Sequence, residues 1–264
     1  MQRRQWLTWL LVGAVAWAVT TGTAQAAPSR EVLFQVSTID ALMAGLYDGT
    51  MSFGELKRHG DFGIGTVNGL DGEMVAVGGR FYQVTSDGVA RSIAPAMTTP
   101  FAAVTFFDVD QRDLVDTATD LPALQRRLDK LIASKNVFTA IRVEGRFRYA
   151  KARSVPKQSR PYAKLVDVVA HQPTFEFRDV EGTLVGFRCP YFVQGANVPG
   201  YHFHFLTADR TRGGHVLDVL IDRASVAMDF TREFDLRLSD SPEFDSRDFE
   251  GDHAAELEKV EKGR

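Results

Sequence analysis

Three histidines in the C-terminal half have a spacing that suits a metal site. His202 and His204 alternate with aromatic residues over positions 200–206, which is typical of a strand whose side chains point to opposite faces in turn. A polar segment ending in two glycines then leads to His215, and a hairpin there would bring His215 beside the pair. Such a trio suits a catalytic zinc, which takes three protein ligands and leaves one position for water or substrate.

A polar sheet surface is the alternative interpretation of two histidines on one strand face. The chain has 6 histidines, and their concentration in this hairpin favours the metal site. The single cysteine, Cys189, has no companion for a disulfide or a cysteine metal site. We therefore expect it to be a buried thiol without a role in chemistry.

Length and composition indicate a globular protein. The chain has 264 residues, 44% of them hydrophobic, and a formal net charge of −3. This is enough for one large core or two small ones. The cationic residues are scattered, so nothing in the sequence favours nucleic-acid binding.

Short alternating segments separated by glycine turns predict an α/β fold of the α+β type. We expect β-rich domains of mixed or antiparallel sheet, with a few packing helices and the metal-bearing hairpin in the C-terminal half. The clearest helix begins at Asp120 and carries an apolar stripe. Residues 151–163 are basic and contain two prolines, which predicts a loop or linker, and residues 224–229 are expected to form a separate strand. The predicted domains are 27–160, with a mixed sheet, and 161–240, with the metal site.

The N-terminus has the features of an export signal. Arg3 and Arg4 precede an apolar stretch over residues 6–19, and Ala24 to Ala26 form a small-residue cleavage site. Residues 1–26 are predicted to be a signal peptide, which would place the mature protein in the periplasm or outside the cell. The arginine pair also loosely fits a twin-arginine signal, so the ordinary secretory route and the twin-arginine route both stay open.

Several segments together resemble the alpha-acetolactate decarboxylase family, over nearly all of the chain from about residue 31. These segments are 60–66, 70–74, 100–105, 151–155, 200–206 and 213–218. The resemblance implies a fold of two β-rich α/β domains, usually as a homodimer. It also implies a Zn²⁺ enzyme that converts 2-acetolactate to acetoin and carbon dioxide.

The resemblance also implies the residues of the site. His202, His204 and His215 would bind the metal, Glu73 would lie at the metal, and Arg153 would face the substrate. The tail, residues 241–264, would reach the active site with a glutamate near the C-terminus. Glu261 is the match, with Glu258 as the alternative.

Two other functions share part of this sequence pattern. A cupin-like metal-dependent oxygenase shares the His-x-His spacing, and Asp209 is the nearest carboxylate that it could use. An exported zinc- or ligand-binding module without turnover is a second alternative. Gly63 and Gly65 lie in a strand context with no following helix, which excludes a dinucleotide site.

Overall fold

The computed structural model describes residues 30–263. The predicted signal peptide therefore lies outside the described residues. Within them the strands are β1 Val32–Val36, β2 Met51–Ser52, β3 Phe62–Thr66, β4 Glu73–Val77, β5 Arg80–Val84, β6 Ala90–Ser92, β7 Thr98–Thr99, β8 Ala102–Thr105, β9 Gln111–Val115, β10 Thr119–Asp120, β11 Phe138–Arg153, β12 Thr174–Cys189, β13 Gly200–Thr207, β14 Gly213–Thr231 and β15 Glu233–Arg237. The helices are α1 Ile39–Met43, α2 Phe53–Leu56, α3 Leu121–Leu131, α4 Leu165–Val169, α5 Pro242–Asp245 and α6 Ala254–Lys262.

The first sheet has seven strands in the order β15-β1-β8-β3-β4-β5-β6. Its pairs are antiparallel except that β15 runs parallel to β1. The strands β3 to β6 are joined by the glycine turns expected of hairpins. The mixed and antiparallel sheets confirm the predicted fold class.

The second sheet closes on itself. The long strands β14, β11, β12 and β13 pair in that order, and β13 then pairs with β14 again. The closing contact is short, running from His204 opposite His215 to Leu206 opposite Gly213. We call these four paired strands the strand ring. The aromatic side chains Phe147, Phe177 and Phe205 lie in the apolar core that packs against it.

Helix α3 packs on the ring, as its apolar stripe predicts. The Asp120 side chain accepts a hydrogen bond from the amide of Ala123 at 2.8 Å and so caps the first turn. Leu124 and Leu128 are fully buried in the ring's core cluster. Among residues 30–263 the structure has no helix long and apolar enough to cross a membrane.

Two sequence-based expectations about elements were wrong. The predicted loop over 151–163 begins too early, because residues 151–153 continue β11 and pair with both β12 and β14. The predicted separate strand 224–229 is the second half of β14. In both places charged residues interrupt the apolar pattern and suggest that the strand ends. The backbone nevertheless stays extended, because each segment pairs with a neighbouring strand on both of its edges.

The domain boundary at residue 160 stays a prediction. The sheets draw strands from both sides of it, since β9, β10 and β11 join the second sheet and β15 joins the first. An apolar cluster that includes Phe62, Val75, Val185 and Phe187 packs the two sheets together. The sequence-predicted site residues lie beside this junction.

Candidate metal centre

The three histidines meet where β13 and β14 close the ring. His202 and His204 lie on β13, and His215 lies on β14 directly opposite His204. Because side chains alternate along a strand, Phe203 and Phe205 join the aromatic core while the histidines take the other face. The imidazole centroids lie 5.2, 4.8 and 5.4 Å apart. The hairpin predicted from the alternating sequence is confirmed.

In two of the three imidazoles, a hydrogen bond determines which ring nitrogen carries the hydrogen. His204 donates from Nδ1 to the carbonyl oxygen of Met74 at 2.8 Å, and His215 donates from Nε2 to the carbonyl oxygen of Glu261 at 3.1 Å. A carbonyl oxygen only accepts, so the opposite nitrogen of each neutral ring keeps its lone pair. Hydrogen bonds of this kind orient histidines that bind metals.

The remaining nitrogens are placed as metal ligands would be. Nε2 of His204 is buried without a hydrogen-bond partner, and one ligand atom from each histidine lies within 4.8 Å of the other two. Nε2 of His202 and Nδ1 of His215 are 3.1 Å apart. Two nitrogens bound to one tetrahedral zinc at about 2.0–2.1 Å would be roughly 3.3 Å apart. The three histidines therefore fit a divalent metal ion.

Burial keeps these histidines neutral. It is the main reason that the pKa of His202 falls to about 3 and that the pKa values of His204 and His215 fall well below the ordinary value of 6.5. The positive charge of Arg153 lowers all three pKa values further. A metal needs the neutral ring, so protons compete weakly for this site.

Glu73 and Arg153 face the histidines from two directions. Gly72 has a φ of +83°, and a β-carbon there would lie 2.1 Å from the carbonyl oxygen of Val84, so glycine is required at the turn that leads into Glu73. Arg153 ends β11 opposite His215. It donates from Nη1 to Oε1 of Glu73 at 2.8 Å, and Oε2 of Glu73 lies 3.5 Å from Nε2 of His204.

Helix α6 brings Glu261 to the same place. Its Oε2 lies 3.8 Å from Nε2 of His202 and 3.9 Å from Nε2 of His215. Glu258 is one turn earlier on the exposed face and pairs with Lys262. Of the two tail glutamates weighed from the sequence, the structure places Glu261 at the histidines.

Both site glutamates have raised pKa values. Burial raises the pKa of Glu73 to about 7, against an opposing effect of Arg153. Burial likewise raises the pKa of Glu261 to about 7, again opposed by Arg153. Each carboxyl group can therefore hold or release a proton near neutral pH.

A small chamber of about 40 Å³ lies between these polar groups and an apolar wall. Sequence reasoning missed the wall, which is formed by Ile39, Leu42, Leu70, Phe101, Val155, Leu165 and Val260. These residues come from α1, α4, α6 and connecting loops, and the sequence pattern marks them only as apolar. The chamber has one polar side and one apolar side, which suits a small acid that carries alkyl groups.

The chain is similar to known proteins over most of its length. The family model described as Alpha-acetolactate decarboxylase matches residues 33–251. The chain belongs to the alpha-acetolactate decarboxylase family. This confirms the resemblance seen in the sequence, and with it the prediction that the chain is an acetolactate decarboxylase.

Relatives and a solved structure agree with membership of the alpha-acetolactate decarboxylase family. A relative from Methanosarcina mazei is 49% identical over 234 residues, which are 89% of this chain and 81% of the relative. One from Methylococcus capsulatus is 50% identical, over 80% of this chain and 82% of the relative. The crystal structure of alpha-acetolactate decarboxylase from Bacillus subtilis superimposes with a TM-score of 0.86 at 35% identity, covering 88% of this chain and all of that one.

The structure places Asp209, the carboxylate that the oxygenase alternative would need as a metal ligand, away from the histidines. Asp209 sits in the turn between β13 and β14, where its Oδ1 accepts hydrogen bonds from the hydroxyl groups of Thr207 and Thr211. Its side chain is exposed and occupied in that turn. The carboxylates beside the histidines are Glu73 and Glu261, as the family resemblance implies.

Proposed function

We propose that this enzyme uses zinc to convert 2-acetolactate to acetoin and carbon dioxide in an acetoin-forming pathway. The observation that carries the proposal is the convergence of three neutral imidazoles, with lone pairs available, at one wall of a chamber that also holds Arg153 and two glutamates. A zinc ion held by His202, His204 and His215 would supply a Lewis acid for the charge that develops on the substrate oxygens as carbon dioxide leaves.

Arg153 would hold the carboxylate of the substrate. Arg153 is only 5% exposed, and its Nε is buried without a hydrogen-bond partner. A guanidinium fork binds a carboxylate through two parallel hydrogen bonds. In this role Arg153 sets which bond of the substrate breaks.

Glu261 would supply the proton that replaces the carboxyl group. Oε1 of Glu73 already accepts a hydrogen bond from Arg153, which favours the ionised form of Glu73. The Glu261 carboxyl group has no such partner among its nearest contacts, which are the imidazoles. We assign Glu261 the proton at Oε2 and Glu73 the task of holding Arg153 and His204 in place.

Removing and restoring the metal tests the proposal. Protein stripped with a chelator should lose acetoin formation from racemic acetolactate and regain it with zinc. His204→Ala should lose zinc and activity together, whereas His171→Ala, which changes an exposed histidine outside the site, should keep both. Full activity in a metal-free His204→Ala protein would refute the metal role.

We also propose that the mature enzyme is exported and forms a homodimer. The basic, apolar and small-residue regions of positions 1–26 support export, and the family resemblance supports the dimer. Fractionation of the native host with N-terminal sequencing of the mature chain tests the first. Light scattering on the purified enzyme tests the second.

A further inference from the structure

Helix α6 lies between the small chamber and a larger cleft, and its residues line both. The cleft measures about 800 Å³ and is lined by Leu257, Glu258 and Lys262 of α6. His202, His215 and Glu261 line both spaces, so the two meet at these side chains. The chamber measures about 40 Å³, and a water molecule needs roughly 10–15 Å³ of such space. Acetolactate, with a carboxylate, a hydroxyl, a ketone and two methyl groups, does not fit there while α6 is in place.

The site itself holds the end of α6. Arg153 donates from Nη2 to the carbonyl oxygen of Val260 at 3.3 Å, and His215 donates to the carbonyl oxygen of Glu261 at 3.1 Å. The last carbonyl groups of a helix lack partners within the helix, and a cation is favourable at its C-terminal end. The residues that face the substrate therefore also fasten the helix.

Little else fastens α6. It has nine residues, pairs with no strand, and buries only Leu257 and Val260. These two side chains pack in the cluster that contains Leu165 and Val168 of α4. Helices shorter than about 12–15 residues are marginal without tertiary packing, and elements with few buried apolar contacts open most readily.

We infer that α6 is the gate of the chamber, opening toward the cleft to admit the substrate and closing over it with Glu261. When the substrate enters, its carboxylate accepts the hydrogen bond that Arg153 otherwise donates to the carbonyl oxygen of Val260. The inference rests on the proposed function, because it needs a substrate that is too large for a chamber of about 40 Å³.

A reversible cross-link tests the gate. A β-carbon at Gly263 would lie 3.2 Å from Cδ2 of Leu217 on β14, so we choose the pair Gly263→Cys and Leu217→Cys and first measure the cross-linked fraction by thiol titration. Gly263 has a φ of +63°, and the single variant Gly263→Cys shows what the strain of a side chain there does to turnover by itself. Cys189 is buried and does not compete. In the zinc-loaded enzyme, oxidation should lower kcat/KM at least tenfold, reduction should restore it, and metal content should not change.

The controls distinguish failure of the proposed gate from failure of the proposed decarboxylase activity. Each single cysteine variant should respond to neither oxidant nor reductant. A fully cross-linked enzyme that turns over as fast as its reduced form would overturn the gate and leave the decarboxylase intact. Absence of acetoin formation in the parent enzyme and the reduced variant would instead overturn the proposed function and the gate with it.

Hydrogen exchange of the unmodified zinc-loaded enzyme gives a second test that needs no cross-link. Amides of residues 257–262 should exchange at least tenfold faster than those of the paired residues 204–206 and 213–215. Equal protection of the two groups would overturn the gate, because the helix would then open no more often than the ring.

Discussion

Replacing Glu73 with glutamine should stabilise the metal-free protein at neutral pH while abolishing its activity. Burial raises the pKa of Glu73 from 4.5 to about 7. The folded state therefore binds more protons than the unfolded state between these values, so its stability falls as the pH rises from 4.5 to about 7. Glutamine has nearly the same shape as the protonated carboxyl group and does not titrate, so Glu73→Gln loses this pH dependence.

The size of the effect follows from the two pKa values. The interval from 4.5 to about 7, at about 1.4 kcal/mol for each pH unit, sets a ceiling of roughly 3–4 kcal/mol. Glu73 is only 6% exposed, so screening by solvent reduces this free-energy difference only slightly. We expect the variant and the parent to have similar free energies of unfolding at pH 4.5. By pH 7.5 the variant should be more stable by about 3 kcal/mol, close to that ceiling.

Urea unfolding of chelator-treated protein at several pH values between 4.5 and 7.5 measures the difference directly. The buried histidines titrate in both proteins, so their contribution cancels. Parallel stability curves for the two proteins would show that Arg153 keeps Glu73 ionised with an ordinary pKa. The assignment of burial as the dominant cause would then be wrong.

Three further outcomes are expected. Arg153→Lys should lower turnover about tenfold or more, because an ammonium group lacks the fork that binds a carboxylate, and steady-state kinetics with acetolactate would show this. Burial raises the pKa of the Cys189 thiol to about 12, so folded protein should resist alkylation that proceeds readily in urea, as mass spectrometry would detect. Burial also raises the pKa of Asp229 to about 7 near the like charges of Glu31, Asp108 and Asp110. Asp229→Asn should therefore raise the free energy of unfolding above pH 7, by roughly 1–2 kcal/mol, and leave it unchanged near pH 4, as urea titrations would measure.

The histidine hairpin was predictable because its signals are local. Alternation places His202 and His204 on one face, and the turn before His215 returns the chain within a few residues. The start of α3 at Asp120 was predictable for the same reason, since a capping residue and an apolar stripe lie within one short segment.

The rest of the site depends on contacts between distant parts of the chain. Arg153 and Glu73 are 80 positions apart and meet only because β11 and β4 belong to sheets that pack together. Residue types gave no signal of that packing, and the family resemblance alone pointed to the pair. The closure of the ring and the apolar chamber wall were missed because each needs several elements in place at once.

The partnership of β1 with β15 has a consequence for synthesis. Val32 pairs with Glu233, and Val36 pairs with Arg237, so the ribosome must make nearly the whole chain before the first sheet gains its outer strand. Until then β1 keeps an unpaired edge, and contacts so distant in sequence form slowly. Folding of the first sheet therefore finishes only after nearly the whole chain has been made, so the chain stays incompletely folded for longer than one whose neighbouring strands pair in order of synthesis.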